Sequence, residues 1–238
     1  MSFIDEGKII RQNATIVCRL GLISFPEAMR VEHALLKLRH EEKVDDVLLI
    51  FEHPPTITVG KLGGRESVLE SPEQLQQKGI ALYDSDRGGD ATYNCPGQLV
   101  IHPIINLRLK GARAHIFDLE EVVLRVLRDF GIDAARSPEH PGIWVGDKQI
   151  GAVGLRFSRG ISMHGISLNV NPDLSSFRLI NLCGLPGKFA TSMEKELGRS
   201  VPVDEVQDKV ETAFTEVFKS TLSPITRETL LGLIRNLQ

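Results

Sequence analysis

With 238 residues, 42% of them apolar, the chain can bury one substantial core and has no low-complexity linker that would separate independent units, so a single domain over 1–238 is expected. A net charge of -3 and a pI near 6.2 exclude any general electrostatic pull toward nucleic acid or anionic lipid. No apolar run reaches the roughly 18 residues of a membrane span, the opening MSFIDEGKII is too acidic for a signal peptide, and three widely spaced cysteines suit neither a disulfide framework nor a zinc site, so a soluble cytoplasmic protein with free thiols is expected.

In chain order, residues 15–20 alternate as a strand, and Ser24 with Glu27 predicts a capping box for a helix running to about residue 42. The apolar run 46–52 reads as a buried strand that His53-Pro54-Pro55 stops, because proline cannot donate to a ladder. A short strand at 56–59 follows, then a helix capped by Ser71-Pro72-Glu73-Gln74 and ended by Gly79. Residues 80–83 are strand-like, 87–98 form a glycine-rich loop, and 99–107 resume strand character with Pro103 interrupting. Apolar residues at helical spacing predict a helix over 114–130 with Gly131 as its stop. Three strands at 143–145, 149–157 and 161–170 come next, the last two joined by Ser158-Arg159-Gly160, and helices at 203–218 and 226–237 close the chain. Helices inserted among strands without strict alternation favour an α+β fold with mixed sheets flanked by helices.

The stretch 142–184 brings Lys148, His164 and Cys183 together. Cys183, after a turn and before Gly184, is either an approachable nucleophile or a buried small hydrophobe, which is what most free cysteines are. A working thiol needs a cation or a base to raise its thiolate fraction, and Lys148 and His164 are candidates. Lys148 could equally be a solvated hairpin residue, and His164 a satisfied sheet histidine. The 87–98 loop puts many donors in a small space and suits an acyl carbonyl or a carboxamide. It is neither a Walker loop nor a dinucleotide fingerprint, so a nucleotide is unsupported, and Asp90 reads as a turn residue more than a general base.

His53-Pro54-Pro55, then RGGDATYNCPGQLVIHPI, GIWVGDKQIGAVGL, HGISLNVNPDL and NLCG, in that order, resemble the lipoyl(octanoyl) transferases over about residues 15–198. The resemblance implies the fold of the biotin and lipoate protein ligase catalytic domains. It implies transfer of an octanoyl group from acyl carrier protein to a lysine of a lipoyl domain, as in 2-oxoacid dehydrogenase or glycine cleavage proteins, in lipoate biosynthesis. Cofactors and metals are not implied, and neither nucleic acid nor a membrane span is expected. By position, Cys183 matches the family nucleophile that carries an acyl thioester. Substrate-contacting walls match Arg87, Gly88, Gly89, Asp90, Ala91, Thr92, Tyr93 and Asn94, then Ala152, Val153 and Gly154, then Gly165, Ile166 and Ser167. Two departures stand out: Asn94-Cys95 replaces a histidine and a glycine, and Gln149 holds the place of the family's base lysine, five residues before Gly154. Lys148, one place earlier, would reach Cys183 only through a slipped register or a bulge. Activation by Lys148, by His164 or by Cys95 stays open, as do a weakly active or non-catalytic acyl-binding paralogue and an ATP-dependent ligase of the same fold.

Overall fold

The computed structural model describes residues 14–107, 110–138 and 140–237, the Cys183 side chain excepted; the MSFIDEGKII opening lies outside them. The chain starts in β1 (Ala14–Leu22), crosses through α1 (Phe25–His40) and returns in β2 (Asp46–Glu52), which pairs in parallel with β1. β3 (Thr56–Val59), α2 (Pro72–Gln77), β4 (Ala81–Asp84) and β5 (Ala91–Asn94) follow, and the three strands form a small sheet in the order β4-β3-β5. β6 (Gln98–Ile104) then pairs antiparallel with β2, and α3 (Ala112–Asp129) leads to β7 (Ala135–Arg136) and β8 (Ile143–Val145). The long hairpin of β9 (Lys148–Ser158) and β10 (Ile161–Asn169) fills the middle of the large sheet. β11 (Phe189–Ala190), α4 (Met193–Leu197), α5 (Val203–Phe218), β12 (Thr221–Pro224) and α6 (Arg227–Leu237) complete the chain. The large sheet runs β12-β1-β2-β6-β10-β9-β8-β7 with β11 beside β9, so the fold is α+β, as the order of elements predicts.

The two faces of the large sheet follow from the period of two along its strands. Leu48, Ile50, Leu99 and Ile101 face α3 and α5, where they pack with Leu119, Val123 and Phe214. Val47, Leu49, Phe51, Val100 and Ile104 face the other way, onto Leu35 and Leu38 of α1 and Leu230 of α6. A third cluster of Ile57, Tyr93, Cys95, Phe177 and Leu182 joins the small sheet to 3-10 turns at Leu174–Leu179 and Leu182–Gly184. Among the described residues no helix is long and apolar enough to cross a membrane.

The predicted capping box at Ser71 forms, with Gln74 N–H donating to Ser71 Oγ at 3.3 Å and Ser71 N–H donating to Gln74 Oε1 at 2.8 Å. The one at Ser24 does not: Ser24 is the N-cap but its side chain makes no capping hydrogen bond, and the Glu27 carboxylate, the reciprocal half of the box, accepts instead from Arg227 Nη2 at 2.6 Å. That helix also ends at His40, short of residue 42. Part of the glycine-rich loop is itself a strand, β5, paired with β3 through Thr56–Asn94 and Val59–Ala91.

Candidate active site

The 87–94 segment and the β9–β10 hairpin enclose one cavity between them. Arg87, Gly89, Asp90, Ala91, Thr92 and Asn94 line it from one side, and Ala152, Val153, Gly154, Gly165, Ile166 and Ser167 from the other. Arg87, buried beneath the loop, fixes its shape by donating to Thr58 O at 2.8 Å, Thr58 Oγ1 at 3.0 Å and Gly88 O at 3.0 Å. Gly88 does not line the cavity; its N–H donates to Leu155 O at 2.8 Å and stitches the loop to β9. Close approach explains the two glycines opposite: a Cβ at Gly154 would come 2.8 Å from Arg87 Cδ, and one at Gly165 would come 2.1 Å from Ile101 O.

Alternation along β5 sorts its side chains. Thr92 and Asn94 face the cavity, whereas Tyr93 turns away to meet Phe177 edge-on at 5.2 Å, so it forms no part of the wall. Asn94, which replaces the family histidine, donates through Nδ2 to Gln98 Oε1 at 2.5 Å. Gln98 Nε2 in turn reaches Asn169 Oδ1 at 2.9 Å, and Asn169 Nδ2 reaches Thr191 O at 2.9 Å. Asp90 is a turn residue, accepting from Ser67 Oγ at 2.7 Å and from the Ala91 N–H at 2.6 Å. Its carboxylate also meets the 3-10 turn that carries Cys183, since a Cβ on Gly184 would fall 2.4 Å from Asp90 Oδ2. The Cys183 side chain lies outside the described residues.

Lys148 does not line the cavity. A bulge is present in β9, where Ile143 pairs with Gly151 but Trp144 pairs with Gln149, leaving Ile150 as the extra residue. Ile150 therefore joins Val153 and Leu155 on the α3 side despite its opposite parity. The phase change carries Gln149, not Lys148, to the face of Ala152 and Gly154. In the parallel pair with β11, Gln149 stands beside Ala190, which is buried with Leu182, while Lys148 stands beside Phe189, which is 59% exposed. Gln149 is 3% exposed, and its Nε2 donates to Pro141 O at 3.4 Å. Cys95 does not line the cavity either: it borders a separate surface depression with Pro55, Lys78 and Asp173, and burial pushes its thiol up to about 12.

His164 is more than a satisfied sheet histidine. It lines the cavity with His53 and His102, at a backbone φ of 60°, and it lies opposite Pro103 if the β6–β10 register is continued from Ile101–Ile166. Proline offers no N–H there, and the His164 N–H turns to α1, donating to Glu32 Oε2 at 3.1 Å. Glu32 Oε1 accepts from His102 Nδ1 at 2.8 Å, and His164 Nε2 donates to Asp86 Oδ1 at 2.6 Å. Arg156 also pairs with Asp86. Burial alone would raise the Glu32 carboxyl, but the attraction and hydrogen bond of His102, with His164 beside it, hold it down to about 2. The hydrogen bond from His164 and the nearby Arg156 charge likewise hold Asp86 at about 2, against partial burial. His53 is pushed down to about 4 by burial, although its Nδ1 meets Ile23 O at 2.7 Å. The sequence held a signal for Glu32, a carboxylate beside the apolar positions Val31 and Leu35 of a helix, and for His102, inside the LVIHPI motif, but neither points to a partner on another element.

The lipoyl protein ligase A/B catalytic domain family matches residues 24–215. An octanoyltransferase of Caldicellulosiruptor bescii is 39% identical over 92% of this chain and 98% of its own. An octanoyltransferase of Rubrobacter xylanophilus is 42% identical over 87% of this chain and 95% of its own. In three dimensions the chain is similar to a putative lipoate protein ligase from T. acidophilum, solved with bound lipoic acid, at a TM-score of 0.76 and 18% identity over 94% of both chains. The biotin protein ligase of Aquifex aeolicus gives a TM-score of 0.51 at 14% identity, over 87% of this chain and 70% of that one.

Proposed function

The chain belongs to the octanoyltransferases of the lipoyl protein ligase A/B catalytic family, and on that premise we propose that it takes an octanoyl group from acyl carrier protein, holds it on Cys183, and passes it to a lysine of a lipoyl domain. The observation that carries this reading is the meeting of three glycine-bearing segments on one cavity, with the 3-10 turn of Cys183 packed against Asp90 at its rim. In the first half, Cys183 Sγ bonds to the acyl carbon and the carrier's thiolate departs and takes up a proton. In the second, the lysine amine attacks the new thioester, the amide forms, and the cysteine sulfur is released. Exchange between thioesters is nearly isoenergetic and amide formation is downhill, so acyl activation by ATP is not needed. Backbone N–H groups of the glycine segments would hold the oxyanion, where loss of one good donor typically costs roughly 2.7–4 kcal/mol.

Lys148, beside exposed Phe189, is not assigned the base's part. With glutamine at 149, the thiol relies on its own ionisation, which for a free cysteine leaves a few per cent as thiolate at pH 7. Intact-mass spectrometry after incubation with octanoyl acyl carrier protein tests the proposal. An octanoyl adduct that maps to Cys183, disappears when a lipoyl domain is added and is lost in Cys183→Ala is expected. Turnover of free octanoate only with ATP would support a ligase instead, and tight binding without an adduct a non-catalytic paralogue.

A further inference from the structure

Glu32, His102 and His164 come from α1, β6 and β10, elements far apart in sequence, and each offers a ligand atom within 4.8 Å of the other two. We propose that these three side chains bind a divalent transition-metal ion of the zinc type, with Asp86 orienting His164 from behind.

The hydrogen bonds fix where the protons sit. Asp86 is a carboxylate and can only accept, so the His164 nitrogen facing it at 2.6 Å, Nε2, carries the proton. In the neutral ring this leaves the lone pair on Nδ1, which faces Glu32 Oε2 at 3.7 Å. That separation is too long for a hydrogen bond. In a buried place two such atoms face each other only with a cation between them, and that cation is either a second proton on the His164 ring or a metal ion. The separation is close to the edge of a tetrahedral site: bonds of about 2.0–2.1 Å set neighbouring ligands about 3.3 Å apart. The other measured pair, Glu32 Oε1 and His102 Nδ1 at 2.8 Å, is a hydrogen bond to the other oxygen of the same carboxylate; on ligation the ring proton of His102 moves from Nδ1 to Nε2 and the pair opens by about half an ångström to match that edge. A carboxylate behind a ligating histidine is the usual outer partner that fixes its tautomer and raises its basicity.

Two histidines and one carboxylate make three protein ligands, the count that leaves a fourth position open. His102 and His164 line the cavity while Glu32 does not, so the open position faces the cavity floor. The side chains of Glu32 and His164 are 1% and 2% exposed and that of His102 is 14% exposed. A water or a donor atom on a ligand entering the cavity could fill it. The strained φ of His164 is held by the Glu32 hydrogen bond to its N–H, which ties the backbone of one ligand to the side chain of another. Metal binding at these side chains is independent of acyl transfer at Cys183.

The test uses full-length protein treated with a chelator, in a Cys183→Ser background that keeps a thiolate from competing for metal. Titration with Co2+ is expected to give one equivalent of binding with the intense visible bands of a tetrahedral ion, displaced by Zn2+. Glu32→Gln, close to isosteric, and His102→Ala are expected to lose the bands, and Asp86→Asn to weaken binding about 10- to 100-fold. Should the variants fold poorly by circular dichroism, the 15N shifts of the His102 and His164 rings in the Cys183→Ser protein itself give the answer, since only ligation moves both on adding one equivalent of Zn2+. Absence of the bands, their survival in both variants, or ring shifts unchanged by Zn2+ would overturn the proposal.

Discussion

Gln149 of β9 stands in register beside Ala190 of β11, on the buried side of the sheet, and it is the bulge at Ile150 that puts it there. The family resemblance places a base lysine at this position. A lysine introduced at 149 would leave the bulge on the face of Ala152 and Gly154, whereas Lys148 projects beside Phe189. Gln149→Lys is therefore expected to speed formation of the acyl-enzyme by at least about a hundredfold at pH 7, the lower end of the range of about 10²–10⁴ typical of a positioned general base. Lys148→Ala should change the rate less than twofold. Rapid-quench mass spectrometry on octanoyl acyl carrier protein reads both, and the reverse ranking would show that Lys148 serves the thiol.

How far the sequence reveals the site depends on how local each relationship is. The α+β order and the strand at Asp46–Glu52 are legible because each rests on a run of neighbouring residues, whereas the three segments that line the cavity are reached through the motifs that carry the family resemblance. The two-residue strands β7 and β11 are too short to establish a period, so they stay hidden. The bulge is hidden for another reason: nothing around Ile150 marks it, and only the pairing of Trp144 with Gln149 reveals that the facing side chain has changed. The box at Ser24 loses its Glu27 half to Arg227, 200 residues away, which no local pattern contains.

Two glycine substitutions should act in opposite directions. A Cβ on Gly165 would lie 2.1 Å from the backbone carbonyl of Ile101 and 3.0 Å from Pro103 Cδ, in the middle of the β6–β10 pair. A backbone atom cannot swing aside, so Gly165→Ala is expected to cost at least about 3 kcal/mol, the upper end of overpacking penalties. Gly232 sits in α6 without a positive φ, and a Cβ added there would have no atom within 4 Å. Gly232→Ala should stabilise by about 0.5–1 kcal/mol through the lower entropy of the unfolded chain. Urea denaturation of both variants measures the pair.

His115 gives the fold a dependence on acid. It is 1% exposed in α3 between the rings of Phe157 and Phe218, its Nε2 has no hydrogen-bond partner, and burial pushes it down to about 4. The unfolded chain takes up a proton on this ring near pH 6.5 while the folded protein resists until about 4, so its neutral ring costs nothing above pH 6.5 and costs increasingly as the pH falls toward 4. At pH 5 the penalty is about 2 kcal/mol. His115→Phe removes it, and melting curves should show the variant gaining on the native protein far more at pH 5 than at pH 7.5. An equal difference at both pH values would place the protonation of His115 elsewhere.

The three cysteines should separate cleanly by reactivity. Burial pushes the Cys18 thiol up to about 11 and the Cys95 thiol up to about 12, and both side chains are packed in apolar clusters, Cys18 with Leu20 and Leu35 and Cys95 with Tyr93 and Phe177. At pH 7.5 fewer than about one in a thousand of either is a thiolate, the form that attacks an alkylating agent. Cys183, proposed as the acyl carrier, should alkylate first and alone when the native protein meets iodoacetamide, and preloading it with octanoyl should block the reaction. Peptide mapping after brief labelling decides the matter: modification of Cys18 or Cys95 ahead of Cys183 would mean that the most nucleophilic sulfur is not the one on the Leu182–Gly184 turn.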